Sequence, residues 1–254
     1  MATTKPWVII VGAGSSGLLL ALMLGKQGVP VLVLELGETI DSRPRATHYA
    51  SPAVRELRRA CVADDALRRG FVPDGVCWRK LDGTVLAGLS NDVFPKDDPD
   101  LMICLPLDKL GELLLEHNDA VPWHPTPESK AYEILNISPN RVHQRLAERM
   151  RVGRILVAAD AAHLCNPFGG MGLTGGIADI GSLYDCLIGI YHGKADDSIL
   201  DKYDEARRRI YNQVTHPVSS ANIVRLFGQD PDTAVETDEF LKICKKAEED
   251  PEFS

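Results

Sequence analysis

The apolar positions of this chain fall into runs of different length, and each length implies a different element. A short continuous run, WVIIV at residues 7–11, is followed by SSGLLLALMLGKQ at 15–27 and by VLVLE at 31–35. The two short runs read as strands buried on both faces of a parallel sheet, and the long one, ended by Gly28, reads as a helix. Together they make a strand–helix–strand unit of about thirty residues. Ser51-Pro52 then predicts a helix with Ser51 as N-cap and Pro52 at its first position, burying Val54, Leu57 and Cys61. VCWRKLDGTVLA at 76–87 reads as a hairpin turning at Asp82-Gly83, and Leu105-Pro106 begins a helix with Leu107, Leu110 and Leu114 inward. Arg154–Ala159 is a further buried strand, and after a glycine-rich loop a helix carries Ile177, Ile180, Tyr184, Leu187 and Ile188 on one face. The chain beyond is charged and helical in pattern. Residues 118–153 break the order, because NDAVPWHPTPESK holds three prolines within six residues, which excludes a regular helix or central strand.

Composition narrows the classes. The 254 residues are 44% hydrophobic and 25% charged, with formal net charge −8, which disfavours nucleic acid or an anionic membrane surface as partner. The longest apolar runs, such as Leu18–Leu24, are too short to span a bilayer, and MATTKP leaves no room for a signal peptide before the first strand. Six cysteines at 61, 77, 104, 165, 186 and 244 form no CxxC pair, so buried thiols in a reducing, cytoplasmic setting are expected, with no zinc or other metal site.

Between the first strand and its helix lies GAGSSG, with Gly12, Gly14 and Gly17 at the GxGxxG positions and Ser16 at the helix start. Such glycines serve a tight turn, close approach of backbone to a pyrophosphate, and close helix–strand packing. The exposed amides and positive end of the helix then hold the diphosphate. Glu35, at the end of the next strand, suits the ribose hydroxyls of an adenosine and argues against a 2′-phosphate, leaving FAD or NAD.

A second stretch, RILVAADAAHLCNPFGGMGLTGG at 154–176, separates these two. It resembles the second flavin-contacting motif of the para-hydroxybenzoate-hydroxylase-like (class A) FAD-dependent monooxygenases. GAGSSG with Glu35, RPRATHYASPAVRELR and LPLDKLGELLLEH resemble the same family, in the same order. The resemblance implies an α/β, Rossmann-like FAD-binding domain of the glutathione-reductase type. It also implies that Asp160 accepts from ribityl hydroxyls and that Pro167, Gly169, Gly170, Gly172 and Leu173 form the loop against the isoalloxazine edge. A helix N-cap role for Asp160 is compatible with this. Arg45 would lie near the diphosphate, with Arg43 as the second choice. His163 reads better as a loop-holding hydrogen-bonding group than as a proton shuttle. The implied reaction uses NAD(P)H as transient reductant and O₂ to hydroxylate an aromatic or polyketide-type small molecule, in secondary metabolism.

The chain departs from that family in three ways. Only residues 118–153 stand where the family has its substrate-binding sheet, the internal Asp-Gly motif has no counterpart, and Ala159 replaces the usual glycine before the aspartate. The expected organisation is therefore a discontinuous FAD domain (1–117 and 154–190), a shortened remnant of the substrate region (118–153), and a C-terminal helical segment (191–254) packed on the FAD domain. Three functions follow: a compact monooxygenase; a flavin-fold protein catalysing a non-oxygenating isomerisation, cyclisation or dehydration, with Trp123, His124 or His163 as acid–base groups; or a binding remnant. A lost roof would expose apolar surface, which a homodimer could cover.

Overall fold

The computed structural model describes residues 5–37, 41, 45–118 and 142–250. The first unit forms as its pattern requires: β1 (Val8–Val11), α1 (Ser15–Lys26) and β2 (Val31–Leu34), with β1 and β2 paired in parallel from Val8 opposite Val31 to Val11 opposite Leu34. There follow β3 (His48–Tyr49), α2 (Ser51–Arg59), α3 (Ala63–Arg69), the hairpin β4 (Gly75–Arg79) and β5 (Val85–Ser90), β6 (Ile103–Cys104) and α4 (Leu107–His117). After residue 141 come four two-residue strands, β7 (Arg145–Leu146), β8 (Arg151–Val152), β9 (Ile155–Leu156) and β10 (His163–Leu164). The rest is helical: α5 (Met171–Tyr191), α6 (Ile199–Ile210), a π-helical turn at Tyr211–Thr215, α7 (His216–Phe227), α8 (Ala234–Thr237) and α9 (Glu239–Glu249). Every sheet among the described residues has two strands.

The core is a helical layer on one face of β1 and β2. Leu19 and Leu24 of α1, Leu57 of α2, Leu110 and Leu114 of α4, Ile177 of α5 and Tyr203 of α6 are all buried in one cluster. Each such side chain contributes about 1.5–3 kcal/mol by leaving water. A smaller cluster forms where α8 and α9 fold back on the hairpin, with Trp78 against Leu241, Cys244 and Ala234 and edge-on to Phe240. The hairpin turns at Asp82-Gly83 as expected: Lys80 N–H donates to Thr84 O, and Gly83 takes φ +93°.

Several expectations are corrected. The strands β1 and β2 are covered on one face only. Val8, Ile10, Val31 and Val33 turn to the core, while Ile9, Val11, Leu32 and Leu34 are exposed, Val11 at 83%, because no described element lies over them. The strand expected at Arg154–Ala159 shrinks to β9, hairpinned to β8, with Ile155 72% exposed. Ser51 is the first helical residue of α2 rather than its cap. Ala50 holds that position, without a side-chain hydrogen bond. Cys61 lies past the end of α2, exposed and at φ +59°, so the buried face is made by Ala53, Val54, Leu57 and Ala60. Cys77 is exposed too; of the six thiols only Cys104 and Cys244 are fully buried. Finally, α5 is long and apolar enough, by length and composition alone, to cross a membrane, although every apolar run read as too short. Here it is the central core helix, and it carries a buried, ion-paired aspartate.

Candidate functional site

The turn after β1 shows why its glycines are glycines. Gly12 takes φ +107°, and its N–H donates to Leu34 O at 2.8 Å, tying the turn to the end of β2. A Cβ on Gly17 would stand 2.0 Å from Gly12 O, so the close packing of helix on turn excludes any side chain. A Cβ on Gly14 would meet nothing within 4 Å; this glycine leaves open space rather than filling it. No side chain caps α1 and its first turn holds no acid, which leaves its amides free for an anion. Glu35 closes the arrangement. Its Oε1 accepts from Gly37 N–H at 2.8 Å and its Oε2 from Ala13 N–H at 2.6 Å. These backbone donors, Gly37 before Ala13, hold its carboxyl below the usual value, so it stays charged with lone pairs left for hydroxyls.

The second loop is shaped from behind. Ala159–Ala161 forms a 3₁₀ turn in which Ala159 adopts φ +53°, the left-handed conformation that the family's glycine would take freely. For an alanine that conformation costs about 1–2 kcal/mol. Ala159 N–H donates to Asp179 Oδ2 at 2.9 Å, and a hydrogen bond to a charged group is worth about 1.5–3 kcal/mol, enough to offset the strain. Asp179 is fully buried on the inner face of α5. It also accepts from His163 Nε2 at 2.8 Å and Arg207 Nε at 2.5 Å. Burial pushes its carboxyl up, but His163, Arg207 and the Ala159 amide outweigh that and leave it below the usual range. Asp160 is exposed and caps no helix. The N-cap of α5 is Gly170 at φ +64°, again without a side-chain cap.

One cleft of about 2180 Å³ collects most of these groups, more than twice the roughly 1,000 Å³ upper size of ordinary ligand pockets. Gly12, Gly14, Ser16 and Gly17 line it from the first turn and the start of α1, Glu35 from the end of β2, and Asp160, Gly172 and Leu173 from the second loop. Arg45 lines it as well, paired with Asp41 at 3.1 Å. The start of α1 packs against the second turn of α5, since a Cβ on Gly176 would come within 3.7 Å of Ser16 Oγ, and the first turns of both helices line the cleft. Pro167, Gly169 and Gly170 do not line the cleft. Their loop is pinned under α7, where Asn222 Nδ2 donates to Phe168 O and Phe168 stacks edge-on with Phe227. His163 is likewise buried away from the cleft, with Nε2 committed to Asp179 and Nδ1 lacking a partner. Trp123, His124 and Arg43 lie outside the described residues.

Sequence reasoning missed Asp179, Arg207 and Asn222. A signal existed for the first: Asp179 falls three residues after Gly176 and one before Ile180, on the buried stripe of α5, and a carboxylate there must be paired. Fold and cleft together define an α/β FAD-binding fold. The residues fit the group: an open backbone at Gly14, two uncapped helix ends, and acids at Glu35 and Asp160 on the same cleft.

The chain belongs to the family described as FAD binding domain, whose profile matches residues 5–128 and 116–217. It is 32% identical over 199 residues to para-nitrophenol 4-monooxygenase of Pseudomonas sp. (strain WBC-3), covering 68% of this chain and 49% of that protein. It thus spans about half the length of that relative. With 6-hydroxy-3-succinoylpyridine 3-monooxygenase of Pseudomonas putida (strain DSM 28022 / S16) it is 25% identical, covering 89% of this chain and 90% of that protein. That alignment runs over 356 positions, more than this chain contains, so stretches of the relative have no counterpart here. The crystal structure of p-nitrophenol 4-monooxygenase PnpA from Pseudomonas putida DLL-E4 shares the fold at a TM-score of 0.80 and 22% identity, covering 98% of this chain and 95% of that one.

Proposed function

We propose that this chain is an FAD-dependent monooxygenase-like oxidoreductase acting on an aromatic or polyketide-type small molecule, with NAD(P)H as transient reductant. The observation that carries the reading is the convergence of two uncapped helix N-termini on one cleft that also holds Glu35 and Asp160. Glu35 would accept from the adenosine ribose. The amides opening α1 would bind the diphosphate, with Arg45 adding positive charge, and Asp160 would accept from the ribityl chain. The α5 N-terminus, near Gly172 and Leu173, would favour negative charge on the flavin's pyrimidine edge. When bound and reduced, FAD activates O₂ for hydroxylation of an electron-rich ring. The chain's own tasks are to hold the ring against the flavin and to exclude water. The relatives named for nitrophenol and succinoylpyridine substrates support the aromatic class.

The exposed face of β1 and β2 favours a second reading, because an uncovered sheet beside the cleft gives poor shelter from water. In that reading the protein binds flavin or an apolar ligand and steers a non-oxygenating isomerisation, cyclisation or dehydration. A homodimer covering the face would restore the first. Substrate-stimulated NAD(P)H oxidation with incorporation of oxygen from O₂ supports the first reading. Product formed anaerobically without reductant supports the second and refutes the first. The mass in solution tests the homodimer.

A further inference from the structure

We infer that Asp179 is a positioning residue for the proposed flavin site: its buried carboxylate holds Ala159 in the left-handed conformation that sets Asp160 on the cleft. The inference rests on the FAD reading above and concerns how this chain maintains that site without the glycine of its family.

Three donors from three elements meet on this one carboxylate. Arg207 comes from α6, His163 from β10, and the Ala159 amide from the 3₁₀ turn itself. Arg207 also donates to Gly175 O, so the guanidinium is fixed against α5. Only the Ala159 bond reaches the cofactor-facing loop. The same helix locks the turn sterically one turn earlier, at Gly176, where a Cβ would stand 2.9 Å from the Ala159 methyl. Ala159 and Cys61 are the two described non-glycine residues with positive φ; the exposed Cys61 donates its N–H to the backbone Arg58 O at 2.8 Å, whereas the Ala159 N–H goes to a buried carboxylate. A purely structural ion pair would need Arg207 and His163 but no bond to a strained amide. The bond to Ala159 is what makes the aspartate specific to the loop.

The test is a double-substitution cycle, with FAD affinity of the full chain read by flavin fluorescence and the visible spectrum of the bound flavin recorded alongside. In the wild-type background, Asp179→Asn should weaken FAD binding about tenfold or more. In the Ala159→Gly background, where the left-handed conformation needs no holding, the same substitution should cost less than about threefold and leave the bound spectrum unchanged. An equal loss in both backgrounds, or no loss in either, overturns the inference. If Asp179→Asn alone fails to fold, folding restored by Ala159→Gly supports it, and failure in both backgrounds overturns it. A wild-type chain that binds no FAD removes the underlying reading as well, and that outcome is recognised because the parent protein itself fails.

Discussion

A single methyl group added at Gly14 or at Gly17 should have opposite consequences, although the two glycines share one turn. At Gly17 the new Cβ would lie 2.0 Å from Gly12 O, 3.2 Å from Gly12 C and 3.3 Å from Ile10 Cγ2. Carbon–oxygen contacts close at about 3.3 Å, so the overlap exceeds an ångström. The obstructing atom is backbone, held by the Gly12 N–H bond to Leu34 O, and cannot swing aside. Overpacking of this kind costs about 1–3 kcal/mol or more, against a gain of about 1 kcal/mol from the better helix propensity of alanine. Because the overlap is with backbone, the cost falls at the upper end of that range, about 3 kcal/mol or more, and Gly17→Ala should destabilise the apoprotein by about 2 kcal/mol or more net of the propensity gain. At Gly14 the backbone is ordinary, with φ −66°, and the new Cβ meets nothing within 4 Å. Losing glycine at the cap costs at most about 1 kcal/mol. The methyl would nevertheless stand in the open space before the α1 amides, where the proposed site takes the diphosphate, so FAD affinity should fall about tenfold or more. Urea unfolding followed by circular dichroism gives the first quantity, and fluorescence titration with FAD the second. A Gly17→Ala protein as stable as the parent would refute the packing argument. A Gly14→Ala protein with parental FAD affinity would refute the placement of the diphosphate.

Three further outcomes follow from the second loop. Asp160→Ala should abolish flavin retention while changing stability by no more than about 0.5 kcal/mol, since the residue is exposed; retained flavin would mean that the motif is wrongly assigned. Asp179→Ala leaves the buried His163 and the part-buried Arg207 without their shared carboxylate and should cost about 3 kcal/mol in urea unfolding; a loss under about 1 kcal/mol would contradict the network. Because the Asp179 carboxyl lies below its usual 3.8, the folded state binds that proton less readily than the unfolded chain. Its contribution is therefore present above about pH 4 and lost as pH falls through the folded value, so acid destabilisation should be steeper in the parent than in Asp179→Asn. Equal slopes would contradict the assignment.

The parts that were legible in the sequence depend on local chemistry. The strand–helix–strand unit, the Asp82-Gly83 hairpin and the helix after the glycine loop follow from run length, turn residues and period. The first turn was readable because a backbone that must pass through positive φ, as at Gly12, or pack closely, as at Gly17, is written in glycine. What failed depends on neighbours distant in sequence. An unbroken apolar strand records that both faces suit burial; it does not record whether a cover is present, and Val11 lies open. The Ala159 turn could not be read from its own residues, because the group that holds it sits twenty residues on and that group's cation lies on another helix. Cys61 was misplaced for a simpler reason: α2 ends before it, so the helical period no longer applied.

The central claim is that the cleft between the two helix N-termini holds FAD. Its most direct measurement is the visible spectrum of the purified full-length chain after incubation with FAD and gel filtration, run beside Asp160→Ala and Gly14→Ala. Flavin absorbance should co-elute with the parent protein and be lost from both variants. A colourless parent that cannot be reconstituted, or variants that keep their flavin, would contradict the claim.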